Sequence, residues 1–278
     1  MKIFEILKAV FLGIIEGITE WLPVSSTGHM ILADEFIRLN VSSDFKEMFF
    51  VVIQLGAILA VPTLFFDRLN PFSKKKTKEE KKGTIDLWCK VIVGALPAAV
   101  AGLLLDDFLD EHLYNSTVIS IALIVYGVVF ILIERMKRVK NNAFRINDVS
   151  ELTYKDALTI GAFQILSLIP GTSRSGSTII GGMLGGVSRV ASAEFSFFMA
   201  IPIMLGASGL KILKFILEGA TVSGFEIGLL LIGIIVSYIV SVVVIKFLMD
   251  FVKRHSFSVF GVYRIILGVI VIGYFLLV

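Results

Sequence analysis

The chain has 278 residues, 56% of them hydrophobic and only 18% charged, with 23 Phe and a mean hydropathy of +0.89. A soluble domain is nearer half apolar and a quarter charged, so this composition excludes an ordinary water-soluble fold and indicates a membrane protein. The single cysteine, Cys89, excludes an internal disulfide and any cysteine-based metal cluster, and the net charge of +3 is informative only through its distribution.

The N-terminal stretch does not read as a signal peptide. One lysine precedes Glu5, and the acidic residues at 5, 16 and 20 interrupt any apolar core. Apolar runs approaching the roughly 20 residues that cross a bilayer as helix follow at 48–66, 91–105, 116–133, 195–210, 227–245 and 265–278, the last with Arg264 at its edge. Basic residues gather in cytoplasmic loops. Seven Lys/Arg against two acidic residues lie in 68–83, six Lys/Arg lie in 135–155, and Lys253 and Arg254 follow the fifth run. The segment from Asp106 to Glu111 has four acidic residues and no basic ones. Threaded through these loops, the runs alternate from inward at 48–66 to outward at 265–278, with basic cytoplasmic loops at about 68–90 and 134–155 and both termini outside. Lys211 and Lys214 fall on the outer side, a mild violation.

This path requires the chain before Met48 to begin and end outside, and the chain from about 155 to 190 to begin and end inside. Each segment contains apolar sequence broken near its middle by Pro and Gly. Such a segment can enter the membrane as a helical hairpin and turn back, because irregular backbone is tolerated at depth where protein or a water-filled cavity surrounds it. The alternative is two full spans in each, the second very short. The hairpins also repeat. At an offset of 148, Gly13 meets Gly161, Glu16 meets Gln164, Ser25 meets Ser173, Thr27 meets Ser175 and Gly28 meets Gly176. The expected fold is therefore an all-α integral membrane protein of one domain, with six transmembrane helices plus two re-entrant hairpins in an inverted-topology repeat. Repeat one covers about 1–134 with its hairpin at 1–40, and repeat two about 155–278 with its hairpin at 155–190.

The hairpins carry the chemistry. The first holds "EGITEWLPVSSTGH", Glu16 to His29. Glu16 and Glu20, four apart, share a helix face. Like charges there repel, and burial sharpens the repulsion, so a divalent cation, a basic residue or a shared proton must offset them. Ionisable residues inside a membrane point to function by default. An interfacial pair without a task is the plainer alternative, but Ser25, Ser26, Thr27 and His29 follow directly. The second hairpin holds "PGTSRSGST", Pro170 to Thr178. A helix beginning near Ser175 would aim its first N–H groups into the turn and favour an anion. Arg174 adds a planar fork suited to phosphate oxygens, and Ser173, Ser175, Ser177 and Thr178 add donors. No Gly-Lys-Ser/Thr follows, so it is not a nucleotide P-loop. Small-residue helix packing is the plainer reading; it suits "GGMLGG" at 181–186 and leaves Arg174 unexplained. Gln54 either bridges helices, the favoured reading, or touches a head group. Trp21 is an interfacial anchor or packs on a lipid tail.

Together the two hairpins offer carboxylates for a metal, a candidate nucleophile or acid–base group, and an anion cradle. That combination fits a phosphate-bearing lipid, whose chemistry needs charge neutralisation and an activated nucleophile. The rival class is a transporter or flippase of a polyprenyl-phosphate lipid, which needs no nucleophile and releases no phosphate. Nucleic acid is not an expected partner. Orientation accounts for the basic run 74–82, and its interleaved glutamates weaken any other reading.

From end to end, and above all in "EGITEWLPVSSTGH" and "PGTSRSGST", the chain resembles the undecaprenyl-pyrophosphate phosphatase family, the bacitracin-resistance type of membrane phosphatase. The resemblance implies hydrolysis of undecaprenyl pyrophosphate to the monophosphate, which recycles the lipid carrier for cell-wall synthesis. It also implies a divalent cation, Mg²⁺ or Ca²⁺, and a site open to the outer face of the bacterial plasma membrane. The family's Glu/Gln-x3-Glu motif falls on Glu16 and Glu20, its serine and histidine on Ser26 and His29, and its arginine on Arg174, flanked by Ser173 and Thr178. Glu16 and Glu20 would then hold the cation on the pyrophosphate, while Arg174 and the N–H groups near Ser175 hold the phosphates. The attacking group is Ser26 with His29 as base, His29 itself, or water activated by the glutamates. The oligomeric state stays open, a homodimer included.

Overall fold

The computed structural model describes residues 2–136, 139 and 141–277, without the side chains of Asp106, Asp107 and Asp110. Its helices are α1 (Lys2–Thr19), α2 (Ser26–Phe36), α3 (Ser43–Val52), α4 (Gln54–Leu64), α5 (Phe66–Leu69), α6 (Lys78–Leu113), α7 (Ser116–Arg135), α8 (Tyr154–Ile165), α9 (Arg174–Gly185), α10 (Arg189–Leu217), α11 (Gly224–Arg254) and α12 (Ser258–Leu277). Short polar caps start most of them. Thr77 with Glu80, Thr153 with Asp156 and Ser223 with Glu226 form reciprocal capping boxes. Gly186, at φ 91°, ends α9 in the left-handed conformation that glycine adopts without penalty.

Among the described residues, six helical segments are long and apolar enough to cross a membrane: Ser43–Leu64, Lys78–Leu105, Ser116–Arg135, Arg189–Leu217, Gly224–Arg254 and Ser258–Leu277. They coincide with the six apolar runs, with three differences of detail. The first run is two helices, broken at Ile53, where the Gly56 N–H tightens onto the Ile53 carbonyl at 3.0 Å. The basic loop expected over 68–90 is largely helical, because the Thr77–Glu80 capping box starts α6 at Lys78. The acidic segment expected as a loop at 106–111 continues α6, whose 36 residues extend about 54 Å at helical rise. Lys137, Arg138 and Lys140 of the second expected basic loop lie outside the described residues.

Helix packing places each part of one half against the other. α1 lies along α11, α8 along α6, α4 on α11, α10 on α6, and α7 along α12. Glycines set the closest approaches. A Cβ on Gly161 of α8 would stand 2.1 Å from the Gly94 carbonyl of α6, and one on Gly56 of α4 the same distance from the Ile234 carbonyl of α11. On α1, Gly13 and Gly17 meet the Gly233 and Ser237 carbonyls of α11 within 2.9 Å of the Cβ each lacks. Gly127 of α7 and Gly261 of α12 approach each other's carbonyls in the same way. Small residues let backbones pack this closely where water supplies no hydrophobic drive. α9 is enclosed from Ser175 to Met183, beside a core that includes Trp21, Phe195, Phe197, Phe198 and Met199. The small-residue reading of 181–186 therefore holds for Gly181, packed on Phe163, and for Gly182, packed on Ser192.

Candidate functional site

α1 and α8 each end at a short loop, and α2 and α9 begin beyond those loops. The two loops are built alike. Ser25 caps α2 at φ 75°, its hydroxyl accepting from the Gly28 N–H at 3.3 Å. Ser173 caps α9 at φ 76°, its hydroxyl accepting from the Gly176 N–H at 3.2 Å. Serine rarely adopts that backbone region, which costs of order 1–3 kcal/mol and recurs at functional sites.

The loops converge on Glu20. Arg174 Nη2 donates to Glu20 Oε1 at 2.8 Å, and Ser26 Oγ donates to Glu20 Oε2 at 2.7 Å. The first residues of α2 and α9 thus grip one carboxylate, and the leading N–H groups of a helix have no intrahelical partners. Ser175 Oγ donates towards the carbonyls of Glu20 and Leu22 at 3.2 and 3.3 Å. Arg174 Nη1 donates to the Ser196 carbonyl at 2.8 Å, and its guanidinium lies 5.6 Å from the Trp21 ring centroid. Thr178 Oγ1 donates to Ser196 Oγ at 2.7 Å, so Ser196 of α10 joins the second hairpin to the rest of the bundle. Trp21 packs edge-on against Phe197 and is fully buried, which places it in the core beneath Arg174 and not at an interface.

Glu16 is 1% exposed, and among the described residues neither of its carboxylate oxygens has a hydrogen-bond partner. Gln164, its counterpart at the offset of 148, is equally buried and equally unpartnered. The ε N–H of Arg174 is also buried and free. His29 is engaged at both nitrogens, Nδ1 with the Ser25 carbonyl at 2.7 Å and Nε2 with the Tyr263 hydroxyl at 2.6 Å. Among the described residues no hydrogen bond joins Ser26 to His29; the group within reach of the Ser26 proton is Glu20. Thr27 is half-buried and makes no side-chain hydrogen bond among the described residues. Gln54 opens α4, half-buried, and bonds to none of the residues around Glu20.

Arg264 is a site residue that sequence reasoning missed, as are Ser196 and Tyr263. It is fully buried, Nη1 donating to the Pro23 carbonyl at 3.2 Å and Nη2 to the Gly171 and Thr172 carbonyls at 2.8 and 2.9 Å. One guanidinium therefore ties both loops together. Its signal was present, since an arginine within a membrane helix marks function or structure of high cost. The apolar run begins just after it and so sets it at the edge of the last span, whereas α12 begins at Ser258. Away from this centre, Asp148 and Glu194 hold Arg68 at 2.9 and 2.7 Å. Lys211 pairs with Glu47 at 2.8 Å, which accounts for one lysine on the less basic side.

A helical bundle of six membrane-length helices that encloses paired glutamates, an arginine and a row of hydroxyls between two capped loops defines a multi-pass membrane protein with a buried polar centre. The sequence profile described as Bacitracin resistance protein BacA matches residues 9–270, and the chain belongs to that family. Its relatives include the undecaprenyl-diphosphatase of Enterococcus faecalis (strain ATCC 700802 / V583), 60% identical over 97% of each chain. They also include undecaprenyl-diphosphatase 1 of Clostridioides difficile (strain 630), 56% identical over 99% of this chain and 98% of that one. The undecaprenyl-diphosphatase of Lactococcus lactis subsp. lactis (strain IL1403) is 55% identical over 97% of each.

Proposed function

We infer that the protein is a membrane phosphatase that hydrolyses undecaprenyl pyrophosphate to undecaprenyl phosphate and inorganic phosphate, recycling the lipid carrier for cell-wall synthesis and so conferring bacitracin resistance. The observation that carries this reading is the double contact at the Glu20 side chain, which brings Ser26 of one loop and Arg174 of the other to one carboxylate. In this proposal Glu20 accepts the Ser26 proton as the hydroxyl oxygen attacks the terminal phosphorus; a serine needs such a base because its own pKa keeps it protonated. The anhydride P–O bond breaks, undecaprenyl phosphate leaves, and water then releases phosphate from the serine. The Arg174 ε N–H and the first N–H groups of α2 and α9 neutralise charge gathering on the phosphate oxygens. Attack by His29, or by water, is the alternative.

The family resemblance implies Mg²⁺ or Ca²⁺, and the residues fit one. Among the described residues no three of His, Cys, Asp and Glu gather as a ready-made site. Mg²⁺, however, is commonly held by one or two carboxylates plus substrate phosphates, and both Glu16 oxygens are buried and free. Glu16 would be the main ligand, with Glu20 beside it. Such an ion would neutralise pyrophosphate charge when bound.

The 1–40 and 155–190 segments are proposed as re-entrant hairpins of an inverted repeat. Three features support this: the matched caps at Ser25 and Ser173, the crossed packing of α1 on α11 and α8 on α6, and the pairing of α7 with α12. We place the protein in the bacterial inner membrane, with its site open to the outer face and both termini outside. Phosphate release from a long-chain isoprenyl pyrophosphate by the detergent-purified protein, with and without EDTA, tests the function. Release abolished by chelator is expected. Folded protein that binds the lipid, releases no phosphate and moves lipid across vesicles would instead establish the transporter reading.

A further inference from the structure

The geometry points to Tyr263 as the positioning residue of His29: it holds the imidazole in one tautomer and one orientation, so that the sole lone pair His29 can offer is on Nε2. This rests on the reading that His29 takes part in the phosphatase site. The Ser25 carbonyl can only accept, and it lies 2.7 Å from His29 Nδ1, so Nδ1 carries the ring proton. In the neutral ring Nε2 is then unprotonated and accepts from the Tyr263 hydroxyl 2.6 Å away. Neither contact is incidental to the fold. Ser25 presents its carbonyl from a positive-φ turn, and that same oxygen also accepts the His29 N–H at 3.3 Å. Tyr263 directly precedes Arg264, which is anchored to the carbonyls of Pro23, Gly171 and Thr172. The backbone that carries the phenol is thereby fixed against the loop that carries the imidazole. Tyr263 is itself 45% exposed, so its ring can yield Nε2 to an arriving group without unpacking the core. The pairing also gives the reason Ser26 turns to Glu20: with both ring nitrogens occupied, His29 has no acceptor left for it.

The test uses the purified full-length chain. In protein labelled with ¹⁵N-histidine, His29 is assigned by comparison with His29→Gln, and its spectrum should show Nδ1 protonated and Nε2 bare. Tyr263→Phe should move the Nε2 resonance and lower kcat about tenfold with KM within twofold, the size expected from one lost hydrogen bond. A protonated Nε2 in the wild type overturns the proposal, as does a folded Tyr263→Phe with unchanged spectrum and kcat. Should that variant fail to fold, the wild-type spectrum alone decides. Full turnover in His29→Ala would instead remove the reading that His29 acts in the site, and the proposal with it. Loss of turnover in His29→Ala beside normal Tyr263→Phe would remove this proposal only.

Discussion

Arg264 shows how much of the site hangs on one side chain. Its guanidinium satisfies three carbonyls from two loops, and it has no carboxylate partner among the described residues. The Tyr126 ring centroid lies 5.7 Å from the guanidinium. Arg264→Met keeps the volume but strands those carbonyls, each worth about 1–3 kcal/mol when left buried and unpaired, so a loss of about 3 kcal/mol or more is expected. Thermal unfolding in detergent measures it, and an unchanged Tm would show that the loops do not depend on Arg264. A second residue-scale prediction lies outside the membrane spans, at Asp148. Burial raises its pKa, but the backbone N–H and hydroxyl of Ser150 and the Arg68 guanidinium outweigh that and hold it below the ordinary 3.8. A depressed carboxylate adds stability above its unfolded pKa and loses it as pH falls through the folded value. The Tm gap between wild type and Asp148→Asn should therefore be widest near neutrality and close below about pH 3. A gap that holds or widens on acidification would contradict the ion pair with Arg68.

At the scale of elements, glycine decides where helices cross. The Gly161→Ala methyl would enter the Gly94 carbonyl at 2.1 Å, and since that atom is backbone it cannot swing aside. Displacing α8 from α6 should cost about 1–3 kcal/mol and carry Arg174 away from Glu20, so activity should fall further than stability. Gly83→Ala on the exposed first turns of α6, where no described atom lies within 4 Å, should leave activity unchanged and stability no lower, alanine being the better helix former, and serves as the control. Equal behaviour of the two variants would remove the claim that these crossings set the site. The six spans were legible because a charge-free apolar run of bilayer length seldom folds as anything but a membrane helix. Their joints were not. The break at Ile53 lies where the chain packs on α11, and the acidic segment at 106–111 continues α6; neither has a local sequence signature. The caps at Ser25 and Ser173 were legible as residues, whereas their positive φ was not, because serine does not ordinarily signal it.

Across the whole molecule, the site exists only because two distant segments meet. Glu16, Glu20, Ser26 and His29 were legible as polar residues in an apolar setting, and so was Arg174. Which of them touch could not be read from spacing alone. The three-residue interval between Ser26 and His29 suggested a pair, yet Ser26 bonds Glu20 and His29 bonds Tyr263, more than two hundred positions away in the chain. Glu20 and Arg174, 154 positions apart in the chain, are proposed to form one phosphatase centre. A double-mutant cycle on kcat/KM for phosphate release, with Glu20→Gln, Arg174→Gln and the combined variant, tests it most directly. Each single change should cost about 100-fold or more, and the double should be little worse than either, because residues acting as a unit are not additive. Losses that multiply, or a single variant that keeps near-normal turnover, would mean that the two residues serve separate tasks and that the site is not the one described.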